Sequence, residues 1–151
     1  MSNMNRSIWS TTSETIEKPW GNERKWSTFG SLQGKVLYVS KGNRTSMKLF
    51  DHKDEVLYIQ KGNVIATVAD EEIFSKEISQ FRNLHLGEGD VLNIQAGCPY
   101  RLKAIDDAIV VEISNGRATE CVRFIDDYDR HIESDRRSAD VIKKFNEVEK
   151  P

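Results

Sequence analysis

The sequence predicts an all-β fold, an antiparallel two-sheet sandwich or barrel followed by a single C-terminal helix. Three observations carry this. Short β-branched and aromatic runs recur at close intervals through the middle of the chain, each bounded by Gly, Asn or Asp turn signals. Two glycine-framed stretches, residues 42–62 (GNRTSMKLFDHKDEVLYIQKG) and 89–104 (GDVLNIQAGCPYRLKA), echo one another. Helical spacing emerges only near the end, in Val141, Ile142, Phe145 and Val148, where Ser138 supplies a cap.

In chain order, residues 1–15 are rich in Ser, Thr and Asn and lack apolar periodicity, so a flexible arm or an exchanged edge strand is expected there. Pro19 and Gly21 mark a turn around Trp20, which reads as a packing anchor, and residues 23–29 follow as a strand. Val36, Leu37, Tyr38 and Val39 make residues 34–41 the next strand. Further strands are predicted at 46–50, 55–60, 64–68, 73–78, 81–86, 90–94, 100–105, 108–113 and 121–124. The barrel is thus placed at 16–132 and the helix at 133–151, its apolar stripe packing on the barrel or on a partner chain.

At 151 residues the chain fits one domain that can bury a core without disulfides. A near balance of 22 basic and 24 acidic residues gives a formal charge of −2, which argues against nucleic acid as a partner. No apolar run reaches membrane-spanning length and the N-terminus is polar, so no membrane is expected and the predicted location is cytoplasmic. Cys98 and Cys121 are read as reduced thiols in that compartment.

The two glycine-framed stretches resemble the paired motifs of the cupin superfamily. The first motif runs Gly, five residues, His-x-His, three or four residues, Glu, six residues, Gly; at those places stand Gly42, Lys48, Phe50, Glu55 and Gly62. The second runs Gly, five residues, Pro-x-Gly, two residues, His, three residues, Asn; here it reads Gly89, Gln95, Gly97, Tyr100 and Ala104. The resemblance implies a cupin double-stranded β-helix, a jelly-roll barrel. Three segments, EKPWGNE, SMKLFDHKDEVLYIQKG and VRFIDDYDR, are similar to the mannose-6-phosphate isomerase type II branch of that superfamily over roughly residues 16–130. In that family the positions corresponding to Lys48, Phe50, Glu55 and Tyr100 hold a divalent metal. Here an ammonium, a phenyl ring and a phenol replace three of the four ligands, so no metal and no other cofactor is expected. A substitute centre built from His52, Glu55 and His85 has poor spacing.

Two readings of the altered centre stand side by side. In one, Lys48, Glu55 and Tyr100 are acid-base groups at a barrel mouth that holds a carbohydrate or sugar phosphate, moving protons at carbon next to a carbonyl. In the other, Lys48 and Glu55 form a buried ion pair in place of the cation, and Phe50 and Tyr100 fill the hole as core. The first makes the chain an isomerase or epimerase of sugar phosphates or nucleotide sugars; the second makes it a non-catalytic carbohydrate-binding or regulatory cupin. Substrate contacts are expected from Arg130, which matches the family tail and would hold an anion, and from Arg44, Phe50 and Asn93. Arg101 is a weaker candidate for the same anion contact, with a surface pair as its default; His85 and His52 read as solvated, Tyr38 and Tyr58 as half-buried wall residues, and Cys98 as exposed. A homodimer through edge strands or the N-terminal arm is expected.

Overall fold

In a computed structural model, residues 9–29, 31–69, 81–115 and 121–125 are described. They form eleven strands: β1 (Glu14–Lys18), β2 (Gly21–Phe29), β3 (Leu32–Val39), β4 (Met47–Phe50), β5 (Glu55–Lys61), β6 (Val64–Val68), β7 (Arg82–Leu86), β8 (Val91–Ile94), β9 (Tyr100–Ala104), β10 (Ala108–Ser114) and β11 (Cys121–Ile125). Alternation of apolar and polar residues puts one face of each strand inward. In β5, for example, Glu55, Leu57 and Ile59 are buried while Tyr58 and Gln60 face out.

The strands assemble into a six-stranded sheet, β1-β2-β3-β10-β5-β8, and a five-stranded sheet, β11-β4-β9-β6-β7, and every pairing is antiparallel. The two sheets close over a shared core. Leu37, Val39, Leu57, Ile59, Leu92, Ile94 and Val110 meet Val64, Ala66, Leu102 and Ala104, with Trp20 and Tyr100 at its margin. Each fully buried aliphatic side chain of this set contributes about 1.5–3 kcal/mol of transfer free energy. The apolar residues do not fill the whole interior: towards β4, β11 and the start of β5 the inward positions become charged.

The glycine frame has a geometric cause. Gly42, Gly62, Gly89 and Gly97 all take left-handed φ values, +83°, +84°, +89° and +85°, which a Cβ disfavours. Gly62 is doubly constrained, because a Cβ there would lie 2.5 Å from the Asp107 carbonyl oxygen. Gly62 lies in the turn between β5 and β6, Gly89 precedes β8 and Gly97 precedes β9, so the motif spacing records where these strands start and stop.

Some expectations change. β1 starts at Glu14 and pairs along its length with β2, from Glu14 opposite Lys25 to Lys18 opposite Gly21, so this strand takes in the last two residues of the expected arm. Arg101 is not a surface residue: its Nε donates to the Thr45 carbonyl at 2.7 Å from a buried position. Cys98 is half-buried against the core rather than exposed, and Tyr58 faces outward. The strand predicted at 73–78 and the C-terminal helix fall outside the described residues. Among the described residues no helix is long and apolar enough to cross a membrane.

Candidate functional site

The charged end of the interior is a cavity of about 440 Å3, within the roughly 300–1,000 Å3 typical of small-molecule sites. Alternation along β4 explains its first wall. Met47 and Leu49 are fully buried on one face of the strand, which turns Lys48 and Phe50 to the other, where both line the cavity. Pairing extends this wall sideways. Lys48 stands directly opposite Tyr100 of β9 and directly opposite Arg123 of β11, so the three side chains share one face of the five-stranded sheet.

The six-stranded sheet supplies the facing wall. Glu112 of β10 stands opposite Lys35 of β3, and Lys35 stands opposite Lys25 of β2. Glu55 begins β5 opposite Ser114, one inward step along from Glu112. Lys48 and Glu55 therefore approach from opposite sheets.

Contacts within the cavity differ from a simple Lys48–Glu55 pair. Tyr100 Oη donates to Glu55 Oε1 at 3.1 Å, and Lys53 Nζ lies 4.0 Å from Glu55 Oε2. Lys48 makes no ion pair among the described residues; its ammonium lies 5.0 Å from the centre of the Tyr100 ring. Lys53 Nζ lies 4.1 Å from the centre of the Phe50 ring. A file of weaker pairs leads outward, Glu112 to Lys35 at 4.0 Å, Lys35 to Glu23 at 3.6 Å and Glu23 to Lys18 at 3.7 Å.

Burial shifts the protonation of this cluster. Desolvation, followed by the neighbouring and hydrogen-bonded Glu112, pushes the Glu55 carboxyl up to about 8, against the opposing pull of Lys53 and Lys48. At neutral pH Glu55 is therefore mainly protonated. Desolvation also lowers the Lys48 ammonium below its ordinary value, with Cys121, Glu55 and Glu112 pulling the other way. Tyr100 is raised by burial, then by Glu55 and Glu112, and keeps its proton. The Cys121 thiol is raised by burial.

Of the residues expected at the site, Lys48, Phe50 and Glu55 line the cavity. Tyr100 does not. It is 2% exposed and lies beneath the wall, holding Glu55 from behind, because its ring is absorbed into the core margin. Asn93 is exposed on β8 opposite Val56, the phase that points away from the barrel interior. Arg44 is half-buried at an isolated bridge to Lys103, away from the cavity lining. Arg130 lies outside the described residues.

Sequence reasoning missed Glu112, Lys35, Lys53 and Arg123, all of which line the cavity. A signal existed for two of them. Glu112 follows Ala108 and Val110 in the buried phase of β10, and Lys35 precedes Leu37 and Val39 in that of β3, so each places a charge where alternation demands an apolar residue.

The donor set does not fit a divalent cation. Lys48, Phe50 and Tyr100 supply an ammonium, no lone pair and a protonated phenol at three of the four cupin ligand positions. Among the described residues no group of three His, Cys, Asp or Glu side chains is placed to hold a metal ion.

Solved cupin-fold structures superpose on this chain. The capsular polysaccharide assembling protein CapF from Staphylococcus aureus matches with a TM-score of 0.63 at 10% identity, over 76% of this chain and 32% of CapF. The chain has the cupin fold. A Bacillus subtilis oxalate decarboxylase variant matches at a TM-score of 0.63 and 17% identity, over 74% of this chain and 30% of that one. KdgF from Halomonas sp. matches at 0.59 and 12%, over 70% of this chain and 87% of its own. The chain thus spans about a third of the length of CapF and of oxalate decarboxylase. No family model matches the sequence, and no curated protein does.

Proposed function

We propose that this cupin is a metal-independent isomerase or epimerase of sugar phosphates or nucleotide sugars, akin to the mannose-6-phosphate isomerase branch that its sequence motifs resemble. The observation that carries the reading is the facing of Lys48 and Glu55 across one cavity with their proton affinities drawn together, the amine down and the carboxyl up. A carboxyl that still holds a proton at neutral pH then faces an amine whose own proton is held less tightly than usual, the pairing that concerted acid-base work needs.

The Lys48 amine removes the proton from carbon beside the substrate carbonyl. That C–H electron pair becomes the new C=C bond, while the carbonyl π pair moves to oxygen and takes the proton of Glu55. The resulting enediol is neutral; the Glu55 carboxylate then takes the proton of the other enediol hydroxyl, whose O–H pair becomes the new C=O bond, while the C=C pair takes the Lys48 proton at the former carbonyl carbon, which completes an aldose-ketose isomerisation and returns both groups to their starting states. Tyr100 is a positioning residue, fixing the Glu55 carboxyl through its 3.1 Å hydrogen bond. Phe50 and Trp20 give the cavity apolar surface against which a sugar ring can lie. The CapF likeness agrees with a carbohydrate ligand, although at 10% identity it carries only the fold.

One observation favours a second reading, a carbohydrate-binding cupin without catalysis: Tyr100 occupies the core margin beside Glu55, consistent with filling a vacated centre. Transfer of solvent deuterium into a panel of sugar phosphates separates the two. Exchange that falls at least about 100-fold in Lys48→Ala, in line with typical general acid-base contributions, supports the enzyme; binding without exchange supports the module. A homodimer through the β1 edge belongs to the same proposal, and sedimentation as a monomer at micromolar concentration would remove it.

A further inference from the structure

The cavity walls contain two buried polar atoms of opposite character that make no hydrogen bond, Arg123 Nε on the five-stranded sheet and Glu112 Oε2 on the six-stranded one. Desolvated and without a hydrogen bond, each is costly to the fold, and both belong to side chains that line the same space. Glu112 is only 4% exposed, and the nearest cation to its Oε2 is Lys35 Nζ at 4.0 Å, beyond hydrogen-bond reach.

The charges around them are imbalanced. Six basic side chains (Lys18, Lys25, Lys35, Lys48, Lys53 and Arg123) line the cavity against three acidic ones (Glu23, Glu55 and Glu112). The basic residues are also stacked unfavourably. Arg123 stands directly opposite Lys48 on one wall and Lys25 directly opposite Lys35 on the other. Lys25 and Lys35, as like charges at directly opposed strand positions, repel. An anion inside the cavity removes both penalties at once. The whole chain is formally −2, so this basic interior is a local feature.

We infer that Arg123 binds the anionic oxo group of the ligand, a phosphate or a carboxylate, while Glu112 Oε2 accepts a hydrogen bond from one of the ligand's hydroxyls. Arg123 thereby takes the anion-holding role that the sequence suggested for Arg130. A guanidinium suits either oxyanion, and its Nε is a donor held in fixed geometry. Opposed donor and acceptor on facing walls also orient the ligand, because a reversed molecule leaves an anion against Glu112. The ligand class is a hydroxylated monosaccharide with one anionic group. This rests on the reading above for the choice of a sugar, but recognition of the anion does not depend on catalysis.

Titration calorimetry of the full chain at low ionic strength, with glucose 6-phosphate, glucuronate, glucose and inorganic phosphate as probes, tests this. At least one of the two anionic sugars binds, and glucose binds at least about 10-fold more weakly, the scale of one charge-assisted hydrogen bond. The relative affinities of glucose 6-phosphate and glucuronate separate a phosphate from a carboxylate. Arg123→Gln weakens the anionic sugar about 10–100-fold and leaves glucose unchanged; Arg123→Lys, which keeps the charge, recovers part of the loss. Glu112→Gln weakens the anionic sugar while inorganic phosphate binds as before. The unfolding midpoint of each variant checks that it is folded, and the Lys substitution keeps the test open if the Gln variant is not. Unaltered binding by Arg123→Gln, equal affinity for glucose and its phosphate, or no binding of either anionic sugar by the natural chain each overturns the inference. Anion binding without deuterium exchange sinks only the proposed catalysis; exchange by Arg123→Gln at an unchanged KM sinks only this subsite.

Discussion

Glu55 is the residue on which the proposed chemistry turns. Its carboxyl is raised from an ordinary 4.5 to about 8 by burial and by Glu112, so the folded state binds a proton that the unfolded chain releases between those values. The stability contributed by this group is fully present below about pH 4.5 and is lost as the pH rises to about 8. Urea unfolding at pH 5 and pH 8 is therefore expected to show a falling midpoint in the natural chain and a flatter dependence in Glu55→Gln, whose amide does not titrate. Under the proposed chemistry the same proton governs activity. Deuterium exchange should decline above about pH 8, where Glu55 has lost the proton it donates. Tyr100→Phe removes a donor that favours the ionised carboxylate, so the alkaline limb moves to higher pH in that variant. A limb that stays in place means that Tyr100 only packs.

At the scale of elements, the segment between β4 and β5 decides where Lys53 and Glu55 stand. Asp54 fastens it to two neighbours. Its backbone N–H donates to Asn115 Oδ1 at 2.9 Å beyond the end of β10, and its Oδ1 accepts from the Ala96 N–H at 2.8 Å in the loop before β9. Asp54→Ala is expected to cost about 0.5–1.5 kcal/mol in urea unfolding, the net worth of one hydrogen bond whose donor can turn to water, and to weaken ligand binding by loosening Lys53. Gly62→Ala, which meets both the left-handed backbone and the Asp107 carbonyl, is expected to cost about 1–3 kcal/mol by the same measurement. Strands and turns of this kind were legible beforehand because their causes are local: period-two alternation in β5 and β10 and glycines at positive φ leave their mark within a few residues. β1 was less legible because its pattern, Glu-Thr-Ile-Glu-Lys, holds a single apolar residue and so shows no alternation; its pairing with β2 makes it a strand.

At the scale of the whole molecule, the site is a product of topology, and this limits what a linear reading could reach. Lys48, Phe50 and Glu55 were found because the first motif holds them within eight residues. Glu112 and Arg123 were not, since the β10-β5 and β11-β4 pairings alone bring them to the same cavity. The depth of Tyr100 was equally hidden: its place opposite Lys48 gives the direction of the side chain but not that the core margin closes over it. Arg101 was misplaced for a related reason, because its burial depends on Thr45 from a distant loop.

The central claim is that organic acid-base groups occupy the barrel centre where related cupin motifs place metal ligands. The measurement that bears on it most directly is deuterium uptake from solvent into sugar phosphates at pH 7, using protein treated with a chelator. The account predicts uptake at the carbon beside the carbonyl, undiminished by the chelator and lost in Lys48→Ala. Uptake that appears only after a divalent metal is restored, or that survives the loss of Lys48, would contradict it.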